Sequence, residues 1–188
     1  MEQVLGQIKQ KFPNAGIVEP SPVKGYPTVK LSSKEDLLPF MTYLKEELGF
    51  DYLDMVTAVD WKGPVEPRGY ITDPNPNPFL PEGAVPQVTP EPATPGFPYR
   101  EAIEIVYAVT NLKERLKLFV RVEVARTQAR VASVISLWKA ADWQERETFD
   151  LMEVVFEGHP NLKKILTPEF IQGHPLRKDY VHVKDKYD

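Results

Sequence analysis

Two runs of strict alternation, side by side in the second half of the chain, decide what it can fold into. Ile103, Ile105, Tyr107 and Val109 alternate with Glu104, Val106 and Ala108, and Leu116, Leu118, Val120, Val122 and Val124 alternate with Lys117, Phe119, Arg121 and Glu123. A period of two sends successive side chains to opposite faces, so both runs read as strands, and Asn111-Leu112-Lys113-Glu114 between them predicts a hairpin. Helical spacing appears on either side. Val4, Leu5, Ile8 and Phe12 define a first helix over 2–12 that Pro13-Asn14 ends. Ser32, with Glu35 three residues on, predicts a capping box, followed by a stripe of Leu37, Leu38, Met41, Leu44 and Leu48 that Gly49 stops. Short extended pieces at 16–19 and 26–31, a strand over 50–61, a helix or two abutting ones over 132–152 and a helical turn near Pro168 complete the reading. That order predicts an α+β fold of two layers, helices packed on a mixed sheet.

Two segments stand outside this pattern. Eleven of the 19 prolines fall within 62–98. Proline fixes φ and lacks an amide donor, so the segment is a long loop. It is either a solvated insertion or a polyproline-type arm lying on a neighbouring subunit, where restricted freedom lowers the entropic cost of docking. The other segment is the C-terminal part. The expected organisation is a core domain over 1–152 interrupted by this loop, then an extended partner-binding tail over 153–188.

Absences narrow the function. With no Cys, the chain offers no thiolate to an iron–sulfur cluster, a zinc site or a c-type haem, and no Cys nucleophile. There is no G-x-G-x-x-G or G-x-x-x-x-G-K-[ST] phosphate cradle. A formal net charge of −4 argues against a nucleic-acid binder. The first residues lack the basic and apolar regions of a leader, and no apolar run approaches the ~20 residues that span a bilayer, so a soluble cytoplasmic protein is expected. At 188 residues one domain with a substantial core is expected.

The charged stretch from Trp138 to Asp150 is the most suggestive part. On a helix, Trp138, Ala141, Glu145, Phe149 and Met152 share one side, which sets the Glu145 carboxylate in an apolar stripe where it requires a partner. Asp142, Arg146 and Asp150 follow at intervals of four, so Arg146 can bridge both carboxylates on a solvated face. The alternative is that Glu145 and Glu147 meet basic residues of another subunit; paired carboxylates for acid–base catalysis are a third reading. Gly158-His159-Pro160 and Gly173-His174-Pro175 each set a histidine in a turn, where hydrogen bonding to backbone competes with metal ligation. In Pro175-Leu176-Arg177-Lys178-Asp179-Tyr180, apolar and aromatic neighbours around the basic pair favour an interface anchor over a solvated patch.

These blocks resemble the 30 kDa-type subunit of respiratory complex I, the NADH:quinone oxidoreductase. The likeness runs through Trp138, Ala141, Glu145-Arg146-Glu147, Phe149-Asp150-Leu151, Phe156, Gly158-His159-Pro160, Leu162, Lys164-Ile165-Leu166, Pro168 and Pro175-Leu176-Arg177-Lys178-Asp179-Tyr180. It implies a non-catalytic subunit of the peripheral arm on the cytoplasmic side of the membrane, bracing the large quinone-site subunit and neighbouring the iron–sulfur subunit. FMN, the iron–sulfur clusters and quinone would then belong to other subunits. Glu145, Arg146, Glu147, Phe149, Asp150, His159, Pro160, Leu176, Arg177, Lys178, Asp179 and Tyr180 would be partner-binding. The family usually has Gly where this chain has Glu153, a replacement that demands space. Related ferredoxin-, F420- and hydrogenase-linked membrane complexes carry a similar subunit, so the electron donor stays open, as does an independent protein-binding module.

Overall fold

The structure, a computed structural model, describes residues 1–19, 21–63 and 94–180. Most of the Pro-rich segment and the last eight residues therefore lie outside the described residues. The elements run α1 (Glu2–Lys11), β1 (Gly16–Ile17), β2 (Thr28–Leu31), α2 (Leu37–Glu46), β3 (Tyr52–Asp60), β4 (Ala102–Asn111), β5 (Leu116–Ala125), β6 (Arg130–Ala132), α3 (Ala141–Met152) and β7 (Val155–Glu157). Five strands form one sheet in the order β1-β2-β5-β4-β3, with only the β2·β5 pair parallel, and β6 and β7 form a separate parallel pair. The fold is α+β on a mixed sheet, as the patterning predicts.

Alternation works as expected in the β4–β5 hairpin. Ile103, Ile105, Tyr107 and Val109 join Leu118, Val120, Val122 and Val124 on one face, in a single core cluster with Ile8 of α1, Leu37, Phe40, Met41 and Leu44 of α2, and Ala141 and Met152 of α3. The other face carries ion pairs. Glu123 receives Nη2 of Arg100 at 2.7 Å and Nζ of Lys30 at 2.9 Å, while Glu104, 1% exposed at its side chain, is paired with Arg121 and receives Trp61 Nε1 at 3.2 Å. Arg100 and then Lys30, acting against burial, hold the Glu123 carboxyl down to about 2.

α2 begins at Leu37, later than the capping-box pattern implies. Ser33, not Ser32, receives the Glu35 amide at the start of a 3₁₀ turn over Lys34–Asp36, and the Ser32 hydroxyl instead donates to the Asn14 carbonyl. Pro39 is tolerated in the first turn of α2, where its missing N–H has no helical partner. The expected helix over 132–152 shortens to Ala141–Met152. Residues 130–132 pair with β7 instead, and tight turns at Val134 and Trp138 carry the chain into α3.

β3 lies at the edge of the sheet, and α3 covers part of it. Gln144 Oε1 accepts the Val56 N–H at 2.5 Å and the Thr148 hydroxyl donates to the Val56 carbonyl at 3.3 Å. Backbone groups that an edge strand would offer to another strand are thereby occupied at this point.

Candidate partner interface

α3 carries two carboxylates into the interior, and each is met by its own chain. Glu145 is 0% exposed; Oε1 accepts the Val134 N–H at 2.8 Å and Oε2 contacts the Ser133 hydroxyl at 2.6 Å. The helical face predicts its burial. Its contacts come from its own chain, from the segment after β6. Asp150, also 0% exposed, accepts the N–H groups of Ile165, Leu166 and Thr167 at 2.9, 2.7 and 2.9 Å on Oδ2 and the Thr167 hydroxyl at 2.5 Å on Oδ1. Burial opposes its charge, but these donors, led by Thr167, hold its pKa below the ordinary value. Asp150 thus works as an anion knot that fixes the loop after β7. Arg146 does not bridge Asp142 and Asp150; Nε donates to the Lys163 carbonyl at 3.2 Å and the guanidinium lies over Trp143, 5.2 Å from the ring centre.

Both turn histidines are engaged with backbone. His159 Nδ1 accepts the Asn161 N–H at 3.0 Å, which leaves the proton on Nε2, 3.3 Å from the Asp142 carbonyl. His174 Nδ1 donates to the Asp150 carbonyl at 2.8 Å, and its ring meets Phe149 edge-on. No group of three His, Cys, Asp or Glu side chains suited to a metal ion occurs among the described residues.

Beyond α3 the chain does not leave the domain; it is strapped back across it as far as Tyr180. The centre of the strap is Arg126, just past β5, a residue outside the predicted set. Its guanidinium is 5% exposed and engages two carboxylates at once. Asp60, at the end of β3, receives Nε at 2.9 Å and Nη2 at 2.9 Å, and Asp179 receives Nη1 at 2.7 Å and a second contact from Nη2. The Lys178 N–H adds a bond to Asp60 at 2.9 Å. Asp179 is held well below, and Arg126 well above, its usual range because each bonds the other. At Asp60 burial opposes the charge, yet Arg126 and the Lys178 and Lys62 amides outweigh it and lower the pKa. One sequence signal does point here: period two along β3 sets Asp60 on the inner face with Val56, and a buried carboxylate requires a cation or several hydrogen-bond donors.

Arg177 closes the strap against the end of α3. Its Nη1 donates to Glu153 at 2.6 Å and Nη2 to the Arg126 carbonyl at 3.5 Å. Glu153 ends the helix at φ +61°, a left-handed conformation that favours Gly. The Gly that the resemblance implies at this position would suit the backbone, whereas Glu153 bears the torsional cost and gains Arg177. The Leu176 N–H donates to the Leu151 carbonyl at 2.9 Å. Gly173, at φ +82°, lets the Tyr180 ring close in; a Cβ there would come within 3.3 Å of it.

The predicted site residues therefore divide. Glu145 and Asp150 are interior, and Arg177 and the His159 ring are largely enclosed. Arg146, Phe149 and Tyr180 are half-buried, whereas Glu147, Pro160, Leu176, Lys178 and Asp179 face solvent. Large apolar side chains outside the predicted set are exposed as well: Trp143 at 64%, Leu166 at 57% and Phe170 at 56%, beside Leu176 at 58%. Among the described residues no helix is long and apolar enough to cross a membrane.

A family model described as "Respiratory-chain NADH dehydrogenase, 30 Kd subunit" matches residues 31–186. An NADH-quinone oxidoreductase subunit of Moorella thermoacetica is 33% identical over 180 residues, covering 96% of this chain and 95% of the relative. Its counterpart in Hydrogenovibrio crunogenus is 38% identical over 168 residues, covering 86% and 73%. Among solved structures, a trypsin-resistant fragment of Nqo5 superposes with a TM-score of 0.56 at 26% identity, covering 86% of this chain and 98% of the fragment. A chain of an archaeal membrane-bound sulfane sulfur reductase complex superposes at 0.63 with 22% identity, covering 95% and 84%, a likeness of fold. The chain belongs to the family of the 30 Kd subunit of respiratory-chain NADH dehydrogenase, the NADH-quinone oxidoreductase.

Proposed function

We propose that this chain is a non-catalytic structural subunit of the peripheral arm of an NADH:quinone oxidoreductase, on the cytoplasmic side of the membrane, where it braces the large quinone-site subunit beside the iron–sulfur subunit. It carries no cofactor, and FMN, iron–sulfur clusters and quinone are held by other subunits. The observation that carries this reading, beside family membership, is the construction of the strap. Charge pairs at Arg126 and Arg177 fix it to its own domain, yet Leu166, Phe170 and Leu176 are turned to solvent, as Trp143 is on α3. Apolar anchors on a preorganised backbone suit protein docking, because the ordering entropy is already lost before contact. Glu147 on α3 and Lys178 on the strap, both exposed, form the polar part of the surface, and Pro160 is exposed as well. The enclosed Glu145, Asp150 and Arg177 contribute by shaping it.

The test is to isolate the tagged protein from its own membranes as wild type and as Leu176→Asp with Lys178→Glu. The wild type is expected to bring down the large subunit and NADH:quinone reductase activity. The double variant is expected to lose both by tenfold or more, the order of effect of a charge placed in an apolar anchor, while its own melting temperature is unchanged. Normal assembly of the double variant would move the docking surface elsewhere.

A further inference from the structure

Around Glu145 the domain buries more polar atoms than it pairs. The Tyr107 hydroxyl, reaching in from β4, has no hydrogen-bond partner among the described residues, and Oδ1 of Asp142, one turn before Glu145 on α3, is met only by His159 Nε2 at 3.3 Å. Glu145 receives only neutral donors, Val134 N–H and the Ser133 hydroxyl. No Lys, Arg or His among the described residues forms an ion pair with it; the imidazole in this region, His159, lies against Asp142 instead. The groups that face Glu145 are therefore a second carboxylate on its own helix, a neutral phenol from the sheet and a hydroxyl from the segment after β6. A carboxylate so enclosed loses its hydration without gaining a countercharge, and the neutral acid is the form that such surroundings favour.

We propose that Glu145 is a proton-binding site built into the fold, its neutral carboxyl being the form that joins α3 to the Ser133–Val134 segment without burying an uncompensated charge. The neutral acid keeps both contacts. Oε1 still accepts the Val134 N–H, and the 2.6 Å contact between Oε2 and Ser133 can be bridged by either hydroxyl proton. Loss of the proton to solvent leaves a negative charge beside Asp142 and Tyr107 with no cation to meet it. Burial, only partly offset by Ser133 and Val134 and reinforced by Asp142, pushes the Glu145 carboxyl up to about 7. The same charge adds to burial in keeping the Tyr107 hydroxyl protonated. An acid whose folded pKa lies above its ordinary 4.5 contributes stability that is full below that value and is lost as pH rises through about 7.

Urea unfolding of the whole chain, wild type against Glu145→Gln, between about pH 5 and about pH 8.5 reads this linkage. The wild-type midpoint is expected to fall across the window relative to that of the variant, the difference following a one-proton curve centred near neutrality. Imidazoles titrate in the same window in any protein, so this difference, rather than the raw profile, carries the test. Infrared spectroscopy provides a measurement independent of the variant's folding. A protonated-carboxyl C=O band is expected in the wild type at about pH 5.5 and gone by about pH 8.5, and Asp142→Asn is expected to shift its loss to higher pH if it disturbs the contact, but to lower pH if, as proposed, it only removes the neighbouring charge. Superimposable unfolding profiles, no band at the acid end, or a shift to higher pH in Asp142→Asn would overturn the proposal.

Discussion

The β4–β5 hairpin and the strap over 153–180 are held by opposite kinds of force. In the hairpin, eight inward side chains, from Ile103 to Val124, bury apolar surface against three helices, and charges lie on the outer face. In the strap the fixing points are carboxylates: Asp150 gathers a loop, and Asp60 and Asp179 share Arg126. Apolar packing is insensitive to pH and tolerant of similar shapes, whereas buried charge pairs are intolerant of losing one member and titrate. The domain thus combines a core that would fold in many contexts with a surface whose shape depends on a few ionised groups.

The sharpest way to separate the two regions is to remove Arg126. Arg126→Ala leaves Asp60 buried without its cation, and a loss of about 3–5 kcal/mol is expected in chemical denaturation. A loss below about 1 kcal/mol, the value of an exposed pair, would show that solvent reaches the clamp. Asp150→Ala is expected to cost somewhat less, about 2–4 kcal/mol, because several loop amides lose one acceptor but part of the loop can turn to water. Limited proteolysis should then cut within 160–175 while the hairpin stays intact.

How much of this is legible in the sequence follows from the range of each interaction. The hairpin is legible because its signal is local: alternation and a short turn. The buried position of Glu145 is legible too, from helical spacing alone. Its partners Ser133 and Val134 are not, because residues 132–140 imitate a helical pattern while folding as the end of a three-residue strand and two turns. β6 and β7 are too short to carry a period. Arg126 joins Asp60 and Asp179 across 66 and 53 residues, and no local pattern records such a pairing. The capping serine lies one position from its expected place and serves the 3₁₀ turn ahead of α2, because the Ser32 hydroxyl is taken by the distant Asn14 carbonyl.

Acid should act on the strap before the core. Asp60, Asp150 and Asp179 have lowered pKa values, so their stabilisation is complete above the ordinary Asp value of 3.8 and is lost as pH falls below it. Glu145 has the opposite sign, losing stability as pH rises toward about 7. Thermal unfolding is therefore expected to show greatest stability in the mildly acidic range between these limits; a plateau extending unchanged into the alkaline range would contradict the assignment at Glu145. The smallest effect is expected at Glu153→Gly. Relief of a left-handed non-Gly residue, about 1–2 kcal/mol, opposes loss of the partly exposed Arg177 pair, about 0–1 kcal/mol. A net gain of about 0–2 kcal/mol should appear in the unfolding midpoint, and a clear loss would mean that Arg177 depends on Glu153 more than its exposure implies.

In the free protein the strap is fixed to its own domain before any partner binds. Amide hydrogen exchange on the protein alone tests this most directly at Leu176 and Lys178, whose N–H groups donate to the Leu151 carbonyl and to Asp60. Both amides are expected to be protected in the wild type and to exchange freely in Arg126→Ala, while those of β4 and β5 keep a protection that falls only with the global stability. Free exchange at Leu176 and Lys178 in the wild-type protein alone would show that the strap is ordered only by its partner, and would contradict the account.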